Sequence, residues 1–228
     1  MKRFALIVAG GSGNRMKSSV PKQFLLLANQ PVLMHTIERF NQFDPETEIV
    51  VILPADQFTY WKELCSKYNF TIQHQLVAGG NIRFESVKNG LNVISTEGIV
   101  AIHDGVRPLV SIETIDHCFR VAEIKGNAIP VMPVTESIRF IEGETSQPVD
   151  REKYVTIQTP QVFRVSLIKE AYSQPCSDSF TDDATVLQAM GHVINLVEGT
   201  PENIKITTPS DLVIANALFL NKNKISYL

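Results

Sequence analysis

The chain has 228 residues, 44% of them hydrophobic and 20% charged, which fits one globular domain with a sizeable core, with room for an appendage. A formal net charge of −3 excludes a nucleic-acid protein held by bulk positive charge, so an anionic ligand must meet cations concentrated locally. The three separated cysteines, Cys65, Cys118 and Cys176, form no CxxC, which gives no zinc site and suits a reducing cytoplasm.

The chain opens with an apolar run at residues 4–9, bounded by glycines, as in a strand buried on both faces. The run is too short for a signal peptide, and none along the chain reaches membrane-spanning length, so a soluble cytoplasmic protein without a membrane partner is expected. Gly10, Gly11 and Gly13 follow, where the backbone can turn sharply and offer N–H groups to an anion. Arg15 and Lys22 add two cations, and Pro21 stiffens the approach to Lys22. A P-loop is excluded, because no Lys-Ser or Lys-Thr follows a glycine at its spacing. The dinucleotide fingerprint G-x-G-x-x-G fails at Met16. The nucleotidyltransferase signature G-x-G-x-R-M, followed by P-K, is matched by residues 11–16 and by Pro21 and Lys22. An ordinary glycine turn is the plain alternative.

Helices are expected at 32–40, 55–68, 83–94, 112–124, 165–172, 182–190 and 209–220. Strands are expected at 49–53, 71–77, 99–102, 128–134, 193–197 and 204–207. Alternation of this kind builds βαβ units and a mainly parallel sheet covered on both faces, an α/β three-layer fold. Ligands of such sheets sit at the carboxyl ends of strands, so the loops at 10–22, 79–83 and 104–108 should converge on one site. Residues 135–155 break the rhythm as a β-hairpin with no covering helix. An isolated hairpin is marginal in water, so it packs on a second subunit or folds back on its own domain.

Asp104, after a buried strand and before Gly105, suits a divalent metal, a substrate hydroxyl or a plain turn. Arg107 suits a phosphate or a pair with Asp104. Gly80, Asn81, Arg83 and Ser86 read as a loop entering a helix, suited to contacting a base or ribose through backbone groups, or simply as a helix start. Asp150 and Arg151 at the end of the hairpin read as a surface pair, Thr159 as part of a turn, and Lys205 as a solvent-facing lysine of a strand. No histidine has a partner at metal-ligand spacing.

Taken in order, AGGSGNRM, PKQF, VAGGNIRFESV, HDGVRP, VDREKY, QTPQVF, FTDDA and VEGTPENIKITTPSDL resemble the 2-C-methyl-D-erythritol 4-phosphate cytidylyltransferases of the non-mevalonate isoprenoid pathway, along nearly the whole chain. The resemblance implies a Rossmann-like nucleotidyltransferase fold, a single domain over 1–228, and an inserted dimerisation arm at 135–155. It implies CTP and a sugar-alcohol phosphate as substrates and Mg²⁺ as cofactor, held mainly by the CTP phosphates, with Asp104 a possible ligand. Arg15 and Lys22 match the cations on the CTP phosphates. Ala9, Gly10, Gly11, Gly13, Gly80, Asn81 and Ser86 match the nucleotide contacts. Asp104, Arg107, Thr159, Arg151 and Lys205 match the acceptor side, with Lys205 also near the α-phosphate and Arg151 reaching the partner's site. Gly10 stands where many members carry Ala, and Asn81 where many carry Asp. Ribitol 5-phosphate cytidylyltransferases share many of these motifs, but VDREKYVTIQTPQVF looks more like the methylerythritol branch. A nucleotide-binding regulator without catalysis is the alternative from another class, and a Rossmann oxidoreductase is disfavoured by Met16.

Overall fold

The structure, a computed structural model, describes residues 1–10, 16 and 20–225, the last four by backbone alone. β1 (Arg3–Val8) is followed by a short 3₁₀ turn at Lys22–Phe24 and the small ladder of β2 (Leu26–Leu27) and β3 (Gln30–Pro31). Then come α1 (Val32–Phe43), β4 (Glu48–Leu53), α2 (Phe58–Lys67), β5 (Gln75–Ala78), α3 (Arg83–Asn92), β6 (Ile99–Asp104), α4 (Ile112–Lys125) and β7 (Asn127–Pro133). β8 (Arg139–Glu142) and β9 (Thr145–Pro148) form a hairpin. The chain ends with β10 (Val155–Ile157), β11 (Gln161–Arg164), α5 (Val165–Ala171), α6 (Asp183–Gln188), β12 (Leu196–Glu198) and α7 (Pro209–Ile225).

The strands order as β10-β7-β11-β6-β1-β4-β5, with β12 also pairing with β7. β6, β1, β4 and β5 run parallel, as do β12 and β7, while β10 and β11 are antiparallel to their neighbours. The central strands are continuous Val, Ile, Leu and Ala runs because both faces are covered. Ala5, Ile7, Val51 and Ala101 pack towards Leu33, Ile37, Trp61, Ile115 and Phe119 of α1, α2 and α4. Leu6, Ile52, Val100 and Ile102 pack towards Val87, Leu91, Ile168 and Leu187 of α3, α5 and α6. Strand periodicity alone divides the two faces: odd positions of β1 face one helical layer and even positions the other. Each fully buried Leu or Ile contributes about 1.5–3 kcal/mol of transfer free energy, so this double-sided sheet is the main source of stability.

Four sequence expectations change. Residues 204–207 form no strand; a single ladder-like bond runs from Ile206 N–H to the Val106 carbonyl (2.9 Å), and buried Ile206 packs with Val106, Leu109 and Ala215. Apolar alternation there marks one buried side chain under α7, not sheet pairing. The strand expected from residue 71 begins at Gln75, because only Gln75–Ala78 reach the Val50–Leu53 register of β4. β11 was not expected: Thr159 and Pro160 read as a turn, yet Gln161–Arg164 insert antiparallel between β6 and β7. The last helix runs to Ile225 instead of ending at residue 220. Its start carries a reciprocal cap: Thr208 Oγ1 accepts the Asp211 N–H (3.3 Å) and Asp211 Oδ2 accepts the Thr208 N–H (2.7 Å).

Candidate active site

The parallel register lines up the strand ends that build the site. Val8 pairs with Asp104 on one side and Ile52 on the other, and Leu53 pairs with Ala78. The chain leaves β1, β4, β5 and β6 at one edge, through Ala9–Gly10, Pro54, Gly79–Gly80 and Asp104. The Ala9 N–H donates to the Ile52 carbonyl (2.9 Å), the Gly79 N–H to that of Leu53 (2.9 Å) and the Gly105 N–H to that of Val8 (2.8 Å), so pairing carries on past the strand ends.

Three hollows with shared lining residues lie along that edge. The largest, 880 Å³, is lined by Gly10, Pro54, Asp56, Gln57, Gly80, Asn81 and Ser86, with Arg83 at its side. It is broad and polar and has the size of a nucleotide site. The Gly80 loop is braced from within: Ser86 Oγ accepts the Gly80 N–H (3.0 Å) and donates to the Ile82 carbonyl (3.0 Å), and Glu85 Oε2 accepts the Asn81 N–H (2.7 Å). A side chain at Gly80 would bring its Cβ to 2.3 Å from the Glu85 Cβ, so this backbone approach needs glycine. Among the described residues, a Cβ at Gly10 would meet Pro54, at 3.8 Å, an ordinary contact that leaves room for the alanine many of the resembling proteins carry there.

A second hollow of 290 Å³ is lined by Arg107, Gln158, Thr159, Gln161, Thr181 and Asp182. Asp104, Lys205 and Arg83 border both it and a third, smaller hollow of 90 Å³, to which Ala9, Gly10 and Lys22 also contribute. Thus Lys22, Lys205 and Asp104, far apart in sequence, line one small hollow that shares Gly10 and Arg83 with the largest and Asp104, Lys205 and Arg83 with the second. Lys22 is placed by its neighbours: buried Gln23 donates to Gln57 Oε1 (2.8 Å), and buried Phe24 stacks on Trp61 with ring centroids 6.0 Å apart.

Asp104 is the electrostatic centre. Its Oδ2 lies 3.1 Å from Lys205 Nζ and 3.1 Å from Arg107 Nε. Burial opposes its ionisation, but Lys205, Arg107 and Arg83 outweigh burial and hold it well below the usual carboxylate range. Arg107 also donates to the Asn203 carbonyl (2.7 Å), and Asn203 Nδ2 donates to the Thr159 carbonyl (2.8 Å). Beneath them lies His103, fully buried. Its Nε2 is 3.1 Å from the Arg107 carbonyl and its Nδ1 3.1 Å from Thr159 Oγ1. A carbonyl only accepts, so Nε2 carries the proton and Nδ1 accepts from the Thr159 hydroxyl. That hydroxyl oxygen in turn accepts the Asp104 N–H (3.1 Å). One neutral histidine therefore fixes the Asp104–Arg107 loop and the Thr159 loop against each other.

Of the residues singled out in the sequence, Gly10, Gly80, Asn81 and Ser86 line the large hollow, and Ala9, Lys22, Asp104, Arg107, Thr159 and Lys205 the other two. Gly11, Gly13 and Arg15 lie outside the described residues. Arg151 is not among these groups: it is exposed at the base of the hairpin and donates to the Thr135 carbonyl. Sequence reading missed the Arg83 partner. Arg83 grips fully buried Asp183 with two bonds (2.7 and 2.5 Å), and the Tyr172 hydroxyl donates to the same carboxylate (2.6 Å). The signal was the acidic pair in FTDDA, whose second aspartate follows a capping residue: Asp182 Oδ1 accepts the Thr185 N–H (2.9 Å).

A family model, IspD: 2-C-methyl-D-erythritol 4-phosphate cytidylyltransferase, matches residues 4–221. The chain belongs to this family. Cytidylyltransferases bearing the family's name from Porphyromonas gingivalis and Phocaeicola vulgatus are 54% identical over 219 residues and 51% identical over 218. These matches cover 95% and 96% of this chain, and 97% and 100% of theirs. The family structure from Thermus thermophilus is 31% identical with a TM-score of 0.78, covering 96% of this chain and 98% of that one. The bifunctional IspDF structure from Campylobacter jejuni is matched at a TM-score of 0.80 and 31% identity, over 93% of this chain and 54% of that one. The mixed, mainly parallel sheet with helices on both faces is the family's fold, and this chain is accordingly a cytidylyltransferase. No helix among the described residues is long and apolar enough to cross a membrane.

Proposed function

We propose that the chain transfers CMP from CTP to 2-C-methyl-D-erythritol 4-phosphate, giving 4-diphosphocytidyl-2-C-methyl-D-erythritol and pyrophosphate. Family membership supplies the substrates, and the observation that carries the mechanism is the meeting of Lys22, Lys205 and Asp104 between a nucleotide-sized hollow and a smaller polar one. A phosphate oxygen of the acceptor attacks the α-phosphorus of CTP. An O–P bond forms there, the bond to the β-phosphate oxygen breaks, and pyrophosphate leaves. The nucleophile needs no general base, because a phosphate monoester is largely dianionic at neutral pH, its second pKa being about 6. The barrier is repulsion between polyanions, so positioning and fixed charge carry the catalysis.

In this reading Lys22 and Lys205 stabilise charge building on the α-phosphate, with Arg15 on the nucleotide's phosphates. Asp104 places Lys205 and Arg107, and Arg107 and Thr159 receive the acceptor. Ala9, Gly10, Gly80, Asn81 and Ser86 hold the base and ribose, and Gly11 and Gly13 belong to the glycine loop that offers N–H groups to the nucleotide. Magnesium is the metal we assign. Asp104 already carries two cations on one oxygen, and no group of three metal-ligating side chains occurs among the described residues. The ion would be held mainly by CTP phosphates and water, the oxygen ligands it prefers, and would supply charge neutralisation. The setting is the cytoplasm, and the unit is one nucleotidyltransferase domain over 1–228.

The hairpin at 135–155 serves as a dimer arm. Phe140 and Ile141 on it, and Tyr154, Val155 and Ile157 along the edge strand β10, are all exposed apolar side chains, a run that a second copy would cover. Arg151, at the root of the arm, then reaches the partner's site. Light scattering at micromolar concentration should give a dimer for the intact chain and a monomer once residues 139–148 are replaced by a short turn; a monomeric intact chain overturns the arm. The reaction is tested by pyrophosphate release from CTP and Mg²⁺, with methylerythritol 4-phosphate and ribitol 5-phosphate in parallel. Release with the first alone is expected, and release with ribitol 5-phosphate alone reassigns the acceptor.

A further inference from the structure

Arg83 is the one described residue that borders all three hollows. Its pairing is asymmetric. Asp183 is entirely buried, whereas a third of the Arg83 side chain remains accessible, on the cavity side. A guanidinium has five N–H donors in a planar fork, and the two bonds to Asp183 leave three. The Tyr172 hydroxyl shares the load on Asp183 from behind, while the Tyr172 ring stacks on Phe84 with centroids 4.7 Å apart. Gln161, on β11, pins the same segment: its Nε2 donates to Asp182 Oδ2 (2.7 Å) and its Oε1 accepts the Ala184 N–H (2.9 Å). The fork is thus held in one orientation by a rigid carboxylate, on a side chain that borders the hollows where, in the proposed reaction, two phosphate-bearing substrates meet. Arginine in this setting is suited to phosphate oxygens, since its planar donors match them and their geometry is set in advance.

We propose that Arg83 is a phosphate-binding cation of the reaction, held by Asp183 and Tyr172 at the junction of the two substrate hollows. This rests on the transfer reaction proposed above. The phosphate it meets belongs either to the acceptor or to the nucleotide's α-position, and the kinetics distinguish the two.

A purely structural ion pair makes a different prediction from a binding one. The R83M variant leaves the buried Asp183 carboxylate unpaired and should lose stability. In R83M/D183N neither charge remains, and Tyr172 keeps an amide oxygen to donate to, so the melting temperature should return to within a few degrees of the parent. If Arg83 binds phosphate, the double variant nevertheless keeps a loss of about 10²-fold in kcat/KM, the size expected for one preorganised donor. A double variant with parental stability and kcat/KM within about threefold of the parent overturns the proposal. R83K keeps the charge without the fork and provides the second reading. A raised KM for one substrate identifies whose phosphate is bound, and unchanged KM and kcat for both overturn the proposal even if the double variant does not fold. Calorimetric titration of inorganic phosphate into the parent and R83M/D183N separates this site from the reaction itself. If the parent turns over no acceptor but the double variant alone loses phosphate binding, the Arg83 site stands and the reaction assignment falls.

Discussion

Replacing Lys22 by alanine lowers kcat by about 10²–10³, the effect of removing one preorganised charge from a developing oxyanion, and leaves the melting temperature nearly unchanged. The reasoning begins with where the side chain is anchored. Gln23 and Phe24 are buried and carry the packing of the 3₁₀ turn, through Gln57 and Trp61. Lys22 contributes to the wall of the junction hollow, not to the core. Truncating it removes a cation from the place where, in the proposed reaction, negative charge builds on the α-phosphate oxygens, and leaves no cavity in the packed interior. Single-turnover and steady-state rates with CTP and methylerythritol 4-phosphate, beside a thermal melt, test this. Turnover within a few-fold of the parent would exclude Lys22 from the chemistry. K22R should recover part of the rate, since it restores charge in a different shape.

Acidification from pH 7 to pH 4.5 lowers the free energy of unfolding by about 2–3 kcal/mol through His103 alone. Burial without a charge partner strong enough to offset it moves this imidazole from an ordinary 6.5 down to about 4. The unfolded chain therefore binds a proton in a range where the folded protein does not, and stability rises with pH between the two values. The contribution is complete above about 6.5 and is lost as pH falls towards 4. One pKa unit is worth about 1.36 kcal/mol, and the whole is a large part of the 5–15 kcal/mol typical of a domain. His74, also lowered by burial, acts with the same sign. Asp104 follows in a more acidic window: its folded pKa lies below the unfolded one, so its stabilisation disappears only as pH falls below the ordinary carboxylate range, about 3.9. Urea denaturation at pH 7, 5.5 and 4.5 measures the slope. H103Q should start less stable at pH 7 and show a shallower decline. A parent whose stability is flat over this range, or an H103Q slope equal to the parent's, would refute the account.

Much of this architecture was readable in the sequence, for identifiable reasons. Buried parallel strands write themselves as unbroken apolar runs, so β1, β4 and β6 were plain, and glycines and Asp104 marked the loops at their ends. β11 was hidden because an antiparallel strand of four residues after a proline has no periodic signature of its own; its neighbours β6 and β7 create it. Residues 204–207 misled in the opposite way, since alternation that came from buried Ile206 and partly buried Ile204, packed in one cluster with α7, imitated a strand. Lys205 read in isolation as solvent-facing, and only the resemblance pointed to the site; the 3.1 Å approach to Asp104 then gave the physical reason. The Arg83–Asp183 pair spans 100 residues of sequence, a separation at which no local pattern can announce a partner.

The two substrate hollows come from different parts of the polypeptide. The 880 Å³ hollow draws every lining residue from between Gly10 and Ser86, whereas the 290 Å³ hollow draws all but Arg83 from between Asp104 and Lys205. The chain is in this sense two tools in one handle. In the reaction proposed above, the leading half holds the base and ribose and the trailing half receives the acceptor, and Arg83 is the seam through which the leading half reaches into the other.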